Sequence, residues 1–120
     1  MAIRYRRVTG DHYVISNINY KASALKATDA IVAHEDGELV GFFRYEKTPT
    51  TIKARGTNVR VDKHSRGIGT RLWEYALRSF KREQGRTPAV RVVTTTEAGE
   101  RLVCRIKRRH PDLLVDGDFL

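Results

Sequence analysis

The chain changes its hydrophobic period once, sharply, and that change limits what it can become. Thr57, Val59 and Val61 alternate with Asn58 and Arg60, the pattern of a half-buried strand. From Gly67 onward Ile68, Leu72, Ala76, Leu77 and Phe80 recur at helical spacing, with Trp73 at the edge of the stripe. Arg71, Arg78, Lys81 and Arg82 lie mostly off it. Between the two patterns sits a loop that ends in Gly67 and Gly69. A strand that runs through such a loop into a helix aims backbone N–H groups at the positive end of a helix dipole. The glycines remove side chains that would keep a ligand off the backbone. The unit is a ready anion site, most often used for phosphate or pyrophosphate. Lys63, Arg66 and Arg71 add charge at its rim. No Gly-Lys-Ser/Thr follows, so it is not a nucleotide P-loop. Position 72 is Leu, so it is not the dinucleotide fingerprint. The plain alternative is a loop that needs two glycines only to turn.

The remaining elements fall around this unit. Residues 3–8 read as a short strand, and residues 11–28 are ambiguous between a strand-like Tyr13-Val14-Ile15 and a turn or two of helix at 22–27. Residues 30–33 and 39–45 are β-rich runs joined by Asp36-Gly37, a hairpin signal. Residues 51–61 form the strand that enters the loop, where Gly56 implies a bulge or a close backbone approach. The helix spans 67–84 and stops at Gly85 and Pro88. A strand follows at 89–95, then a helix at 97–109 with Thr94 and Glu97 at capping-box spacing and Ala98, Leu102 and Ile106 as its buried stripe. Residues 113–115 make a last strand and 116–118 a turn. Strands, helix, strand, helix, strand is an α+β order.

Composition narrows the class. The 120 residues suit one domain spanning 1–120. Lysine and arginine number 23 against 14 acids, a net charge of +9. That favours anionic partners: nucleic acid, a phosphorylated cofactor or an acidic surface. Cys104 is the single cysteine, so disulfides within the chain and cysteine-based zinc sites are excluded. His12, His34 and His110 have no metal-ligand spacing with one another or with Cys104, and no metal is expected. No apolar run reaches the roughly 18 residues of a membrane span, and no secretory h-region follows the start. The expectation is a cytoplasmic protein without a membrane partner.

Residues 59–77 resemble the signature of the GNAT superfamily of acyl-CoA N-acyltransferases: a strand, then Arg/Gln-x-x-Gly-x-Gly/Ala, then a helix. Gly67-Ile68-Gly69-Thr70-Arg71-Leu72 carries most of the likeness, and the hairpin at 31–45 is similar to the family's second and third strands. The resemblance covers about residues 30–106. It implies a GNAT-like mixed, mostly antiparallel sheet with helices packed on its faces. It also implies acetyl-CoA as co-substrate, with Asn58, Val59, Arg60 and Val61 along the pantetheine arm. His64, Ser65, Arg66, Gly67, Ile68, Gly69, Thr70 and Arg71 would surround the pyrophosphate. His64 then stands at the family's Arg/Gln position. In the other register Arg66 does, but Arg71 falls where Gly or Ala belongs. The family's two helices between its first strands have only about 20 weakly periodic residues to occupy here, a shortened N-terminal helical region. The end is short for the family's final strand pair. Both imply an open acceptor side.

Acylating an amine requires a lost proton, a stabilised oxyanion and a protonated leaving thiolate. By the resemblance a backbone N–H near 58–60, Val59 foremost, serves the oxyanion. The family's carboxylate on that strand is missing, since 47–61 holds no Asp or Glu. Glu46 or a water chain is left as base, although a solvated strand end is the plainer reading of Glu46. Tyr45 is a candidate acid, against a half-buried strand tyrosine. The family's tyrosine acid on the last helix maps near Val103, leaving Cys104, whose plainer reading is a buried structural cysteine. Thr95 or Thr96 replaces the family's Asn.

Three functions compete. One is an acetyl-CoA-dependent N-acetyltransferase with an unknown amine acceptor. The second is a non-catalytic, basic nucleic-acid-binding module using the face of Arg101, Arg105 and Arg108. The third is an acyltransferase acting on a macromolecular, nucleic-acid-associated acceptor. A homodimer through an exposed strand edge is compatible with each.

Overall fold

The computed structural model describes residues 2–9, 29–64, 66–92 and 96–117. Within them the chain runs β1 (Ile3–Thr9), β2 (Asp29–Glu35), β3 (Glu38–Lys47), β4 (Thr51–Val59), a 3₁₀ turn (Val61–Lys63), α1 (Ile68–Gln84), β5 (Ala89–Val92), α2 (Glu97–Arg109) and β6 (Val115–Gly117). The strands form one six-stranded sheet in sequence order. β1 to β4 pair antiparallel, and β4–β5 and β5–β6 pair parallel. Parallel neighbours need crossovers, and α1 and α2 supply them. This is the α+β order that the periodicity implies, in the mixed, mostly antiparallel sheet that the family resemblance implies. The shortened helical region expected at 11–28 lies outside the described residues.

The core forms because the α1 stripe and the inward strand residues share one face. Ile68, Leu72, Trp73, Ala76, Leu77 and Phe80 pack on Ile31, Phe43, Tyr45, Ile52 and Val90. Trp73 is no edge residue: it is 4% exposed and stacks on Phe43 at 4.6 Å between centroids. α2 adds Val103 and Ile106. The expected α2 stripe was displaced, since Ala98 is exposed and Leu102 half-buried. Cys104 is exposed, not buried, because its neighbour Val103 takes the inward position. The α2 cap is Thr96, whose Oγ1 accepts from the Gly99 amide at 3.1 Å. It lies two positions beyond the Thr94 of the expected capping box.

Two strand ends also differ from the sequence pattern. β4 stops at Val59, because residues 61–63 coil into the 3₁₀ turn. β6 starts at Val115 and includes Asp116 and Gly117, which read as a turn. Leu113 instead plugs the core at 1% exposed, while Leu114 is 73% exposed. The Lys107 ammonium donates to the Pro111 and Leu113 carbonyls and holds that connection.

The irregularity foreseen at Gly56 is present. The β3–β4 register shifts between Arg44 and Tyr45, leaving Arg55 as the extra residue beside Gly56. The close approach falls elsewhere, at Gly41. A Cβ there would stand 3.1 Å from the Asn58 carbonyl oxygen and 3.2 Å from Ile68 Cγ2.

Candidate active-site cleft

Among the described residues β5 pairs with β4 only along 51–54. A cleft of about 590 Å³ lies along the following part of β4, and residues 93–95 of the strand expected at 89–95 lie outside the described residues. β4 forms its floor with Ala54, Arg55, Gly56, Thr57 and Val59, α1 and its N-cap give Gly67, Ile68, Gly69 and Trp73, and α2 gives Ala98, Gly99, Leu102, Val103 and Arg105. The Arg60 amide donates to the Val40 carbonyl on β3 at 2.9 Å. Strand alternation therefore turns the N–H and C=O groups of Thr57 and Val59 the other way, toward the open side. His64 Nε2 lies 2.9 Å from the Val59 carbonyl, and only a ring N–H can donate to it.

The loop ends in Gly67 at φ 74, a left-handed conformation that glycine adopts without strain. No side chain caps α1. Among the described residues no side chain meets the first α1 amides, and the N-terminus of α2 lines the same cleft through Ala98 and Gly99. Trp73 Nε1 donates to Thr57 Oγ1 at 2.7 Å and ties α1 to the cleft floor. Arg105 reaches Thr70 Oγ1 at 3.5 Å.

The structure divides the residues that the sequence singles out. Val59, His64, Gly67, Ile68 and Gly69 line the cleft, with Lys63. Arg66 turns to the β2–β3 hairpin and pairs with Glu35 at 2.8 Å. Arg71 faces β1, where it and Arg66 partly offset the burial that pushes the Tyr5 phenol up. Thr70 is buried between the helices. Arg60 is bound to Asp62 and Glu38 at 2.9 and 3.1 Å. Asn58 pairs with Phe42 on β3. Val61 begins the 3₁₀ turn, and Ser65 lies outside the described residues.

The proposed catalytic side chains are not gathered. Tyr45 is 2% exposed against Phe43, and burial, then the nearby Asp29, pushes its phenol far up. Glu46 pairs with Arg55 at 3.0 Å, and Arg55 lines the cleft. Cys104 points to solvent on α2. What the sequence missed is the α2 wall. Arg105 stood in an arginine face, but nothing in the spacing told which of Arg101, Arg105 and Arg108 would meet the cleft.

A model of the Acetyltransferase (GNAT) family matches residues 5–103. The chain belongs to the GNAT family. A search of curated proteins finds no match. Among solved structures, the chain is similar to an IAA acetyltransferase from Bacillus cereus at 17% identity and a TM-score of 0.67, covering 90% of this chain and 75% of that one. A ribosomal-protein-alanine N-acetyltransferase from Brucella melitensis matches at 18% identity and 0.66, covering 88% and 90%. An aminoglycoside acetyltransferase from an uncultured soil sample, in complex with sisomicin, matches at 11% and 0.64, covering 92% and 88%. At these identities the GNAT fold is what is shared.

Proposed function

We propose that the protein is an acetyl-CoA-dependent N-acetyltransferase, with this cleft as its coenzyme site and a single catalytic domain over residues 1–120. One observation carries the reading: β4 residues and the helix N-terminus that follows them at a left-handed glycine line one cleft. The residues fit the coenzyme. The amides of Gly67 to Thr70 suit a pyrophosphate, with Lys63, His64 and Arg105 beside them. The N–H and C=O groups of Thr57, turned toward the cleft, suit an amide-bearing arm, while the Val59 carbonyl already accepts from His64. When bound, the coenzyme supplies an acetyl group activated as a thioester. The Val59 N–H donates to the carbonyl oxygen as negative charge develops there. Glu46, beside cleft-lining Arg55, takes the amine proton through solvent. As the amine forms its C–N bond and the thioester C–S bond breaks, the leaving thiolate would take its proton from solvent, since Tyr45 is buried and Cys104 lies outside the cleft lining. The acceptor is an amine, and the net charge of +9 favours one with anionic surroundings, such as a nucleic-acid-bound one.

Thermal melting tests this reading. A ligand that binds only the folded state raises its stability by about 2.7 kcal/mol at a hundred times its Kd. Acetyl-CoA should raise the midpoint, and Gly67→Glu should abolish the rise while the variant still melts cooperatively. No shift of the wild type at millimolar acetyl-CoA overturns the coenzyme reading. A shift by nucleic acid alone would favour the non-catalytic binding module.

A further inference from the structure

We propose that the β2–β3 hairpin is a bracket for the anion-binding loop, with Glu35 and Glu38 as its positioning residues; this rests on the coenzyme reading of the cleft. The hairpin turn is Asp36-Gly37, with φ 53 and 81, the left-handed pair of a tight two-residue connection. It sets Glu35 directly across from Glu38 in register. Like charges so placed destabilise a hairpin. Here both carboxylates are matched, and every partner comes from the loop between β4 and α1. Glu38 takes Arg60 at 3.1 Å. Glu35 takes Lys63 at 2.7 Å and Arg66 at 2.8 Å, and its side chain is only 10% exposed. The loop is thus held at its start, middle and end from one turn of a neighbouring hairpin.

The 60–63 part of the loop is also held by the Arg60–Asp62 pair and by the Arg60 amide on the Val40 carbonyl, but the part that leads into α1 has few other constraints among the described residues. α1 lacks a side-chain cap, the 3₁₀ turn covers only Val61–Lys63, and His64 is tied to Val59. Without Glu35, Lys63 and Arg66 would lose their partner and repel each other across His64 and Ser65. The amides of Gly67 and Gly69 would then have to be ordered by the ligand itself, which weakens binding. A carboxylate near a phosphate site also has an opposite, Coulombic effect, since it disfavours an anion. The sign of the change on removing it therefore separates a positioning role from simple neutralisation.

The test uses Glu35→Gln, Glu38→Gln and Arg66→Met. Amide hydrogen exchange is read without ligand, and coenzyme A affinity by calorimetry. Glu35→Gln should speed exchange over residues 63–69 about tenfold and weaken coenzyme A about tenfold, with exchange in the α1 interior and β2–β4 unchanged. Arg66→Met in the Glu35→Gln background should add little, because the two act through one contact. Glu38→Gln should loosen only the 60–63 end, and it serves if Glu35→Gln fails to fold. Unchanged loop exchange, or tighter coenzyme binding by Glu35→Gln, overturns the bracket. If the wild type binds no coenzyme A, the cleft reading fails, while loop exchange still decides the bracket.

Discussion

Substituting alanine at two β-strand glycines gives opposite outcomes if the packing is as described. At Gly41 the added methyl would meet the Asn58 carbonyl oxygen at 3.1 Å, Ile68 Cγ2 at 3.2 Å and Leu72 Cδ1 at 3.4 Å. The first of these is backbone, in a strand already paired to β3, and the other two belong to the first turns of α1. None is a flexible tip that can swing away. Overpacking of this kind costs about 1–3 kcal/mol. Replacing a strand glycine returns roughly 0.5–1 kcal/mol through the unfolded chain. The net loss for Gly41→Ala is therefore about 1–2 kcal/mol, a fall of roughly 4–10 °C in melting midpoint for a chain of this size. At Gly56 the new methyl would meet only Arg44 Nη2, at 3.6 Å, an ordinary contact. Gly56→Ala should match or slightly exceed the wild type. Urea unfolding and thermal melts of both variants provide the assay. Gly41→Ala also presses on Ile68, which lines the cleft, so its coenzyme A affinity should fall several-fold. Equal stability of Gly41→Ala and the wild type would refute the close approach, as would a Gly56→Ala that is the less stable of the pair.

Further outcomes follow from single contacts. Glu35 is held down to about 2, first by the Arg66 hydrogen bond and then by that of Lys63. Its folded pKa is below the unfolded one, so its contribution is present above about pH 4.5 and lost as pH falls toward 2. Glu83, bonded to Lys47, shifts the same way, as does Glu74, where Arg109 and His110 outweigh burial. The melting midpoint should therefore drop from pH 5 to pH 2, and Glu35→Gln should shrink that drop. Trp73 is the sole tryptophan, and it is buried on the cleft wall. Its emission should be blue-shifted and should change on coenzyme A binding. Trp73→Phe removes the bond to Thr57 and should cost about 1 kcal/mol, read by urea unfolding. Cys104 should react with a disulfide reagent in the folded protein as fast as an exposed thiol, and Cys104→Ser should leave the melt unchanged.

Much of the fold was legible because period is a local property. The α1 stripe, the Asp36-Gly37 hairpin and the β4–loop–α1 unit each announce themselves within a few residues, and each is present at close to the expected bounds. The misplacements share a cause. Leu113, Cys104 and Ala98 are apolar or small residues whose burial depends on which neighbour reaches the core first. Only the packing of α2, and of the connection that follows it, against the rest of the core decides that. Thr96 displaced Thr94 as the α2 cap for a related reason: a cap is defined by where the helix begins in space.

The cleft divides along the same line. Sequence alone determined that a glycine-bearing loop opens a helix and that its amides face outward, because glycine spacing and amphipathic period are written in adjacent residues. Tertiary structure decided which charges belong to that loop. Arg66 and Arg71, next to the glycines in sequence, point to the hairpin and to β1. Arg105, far along the chain, comes to the cleft. Charge counted along a chain carries no direction. A helix turns each successive side chain by about 100°, and a hairpin glutamate distant in sequence can claim a cation that its neighbours in sequence never touch.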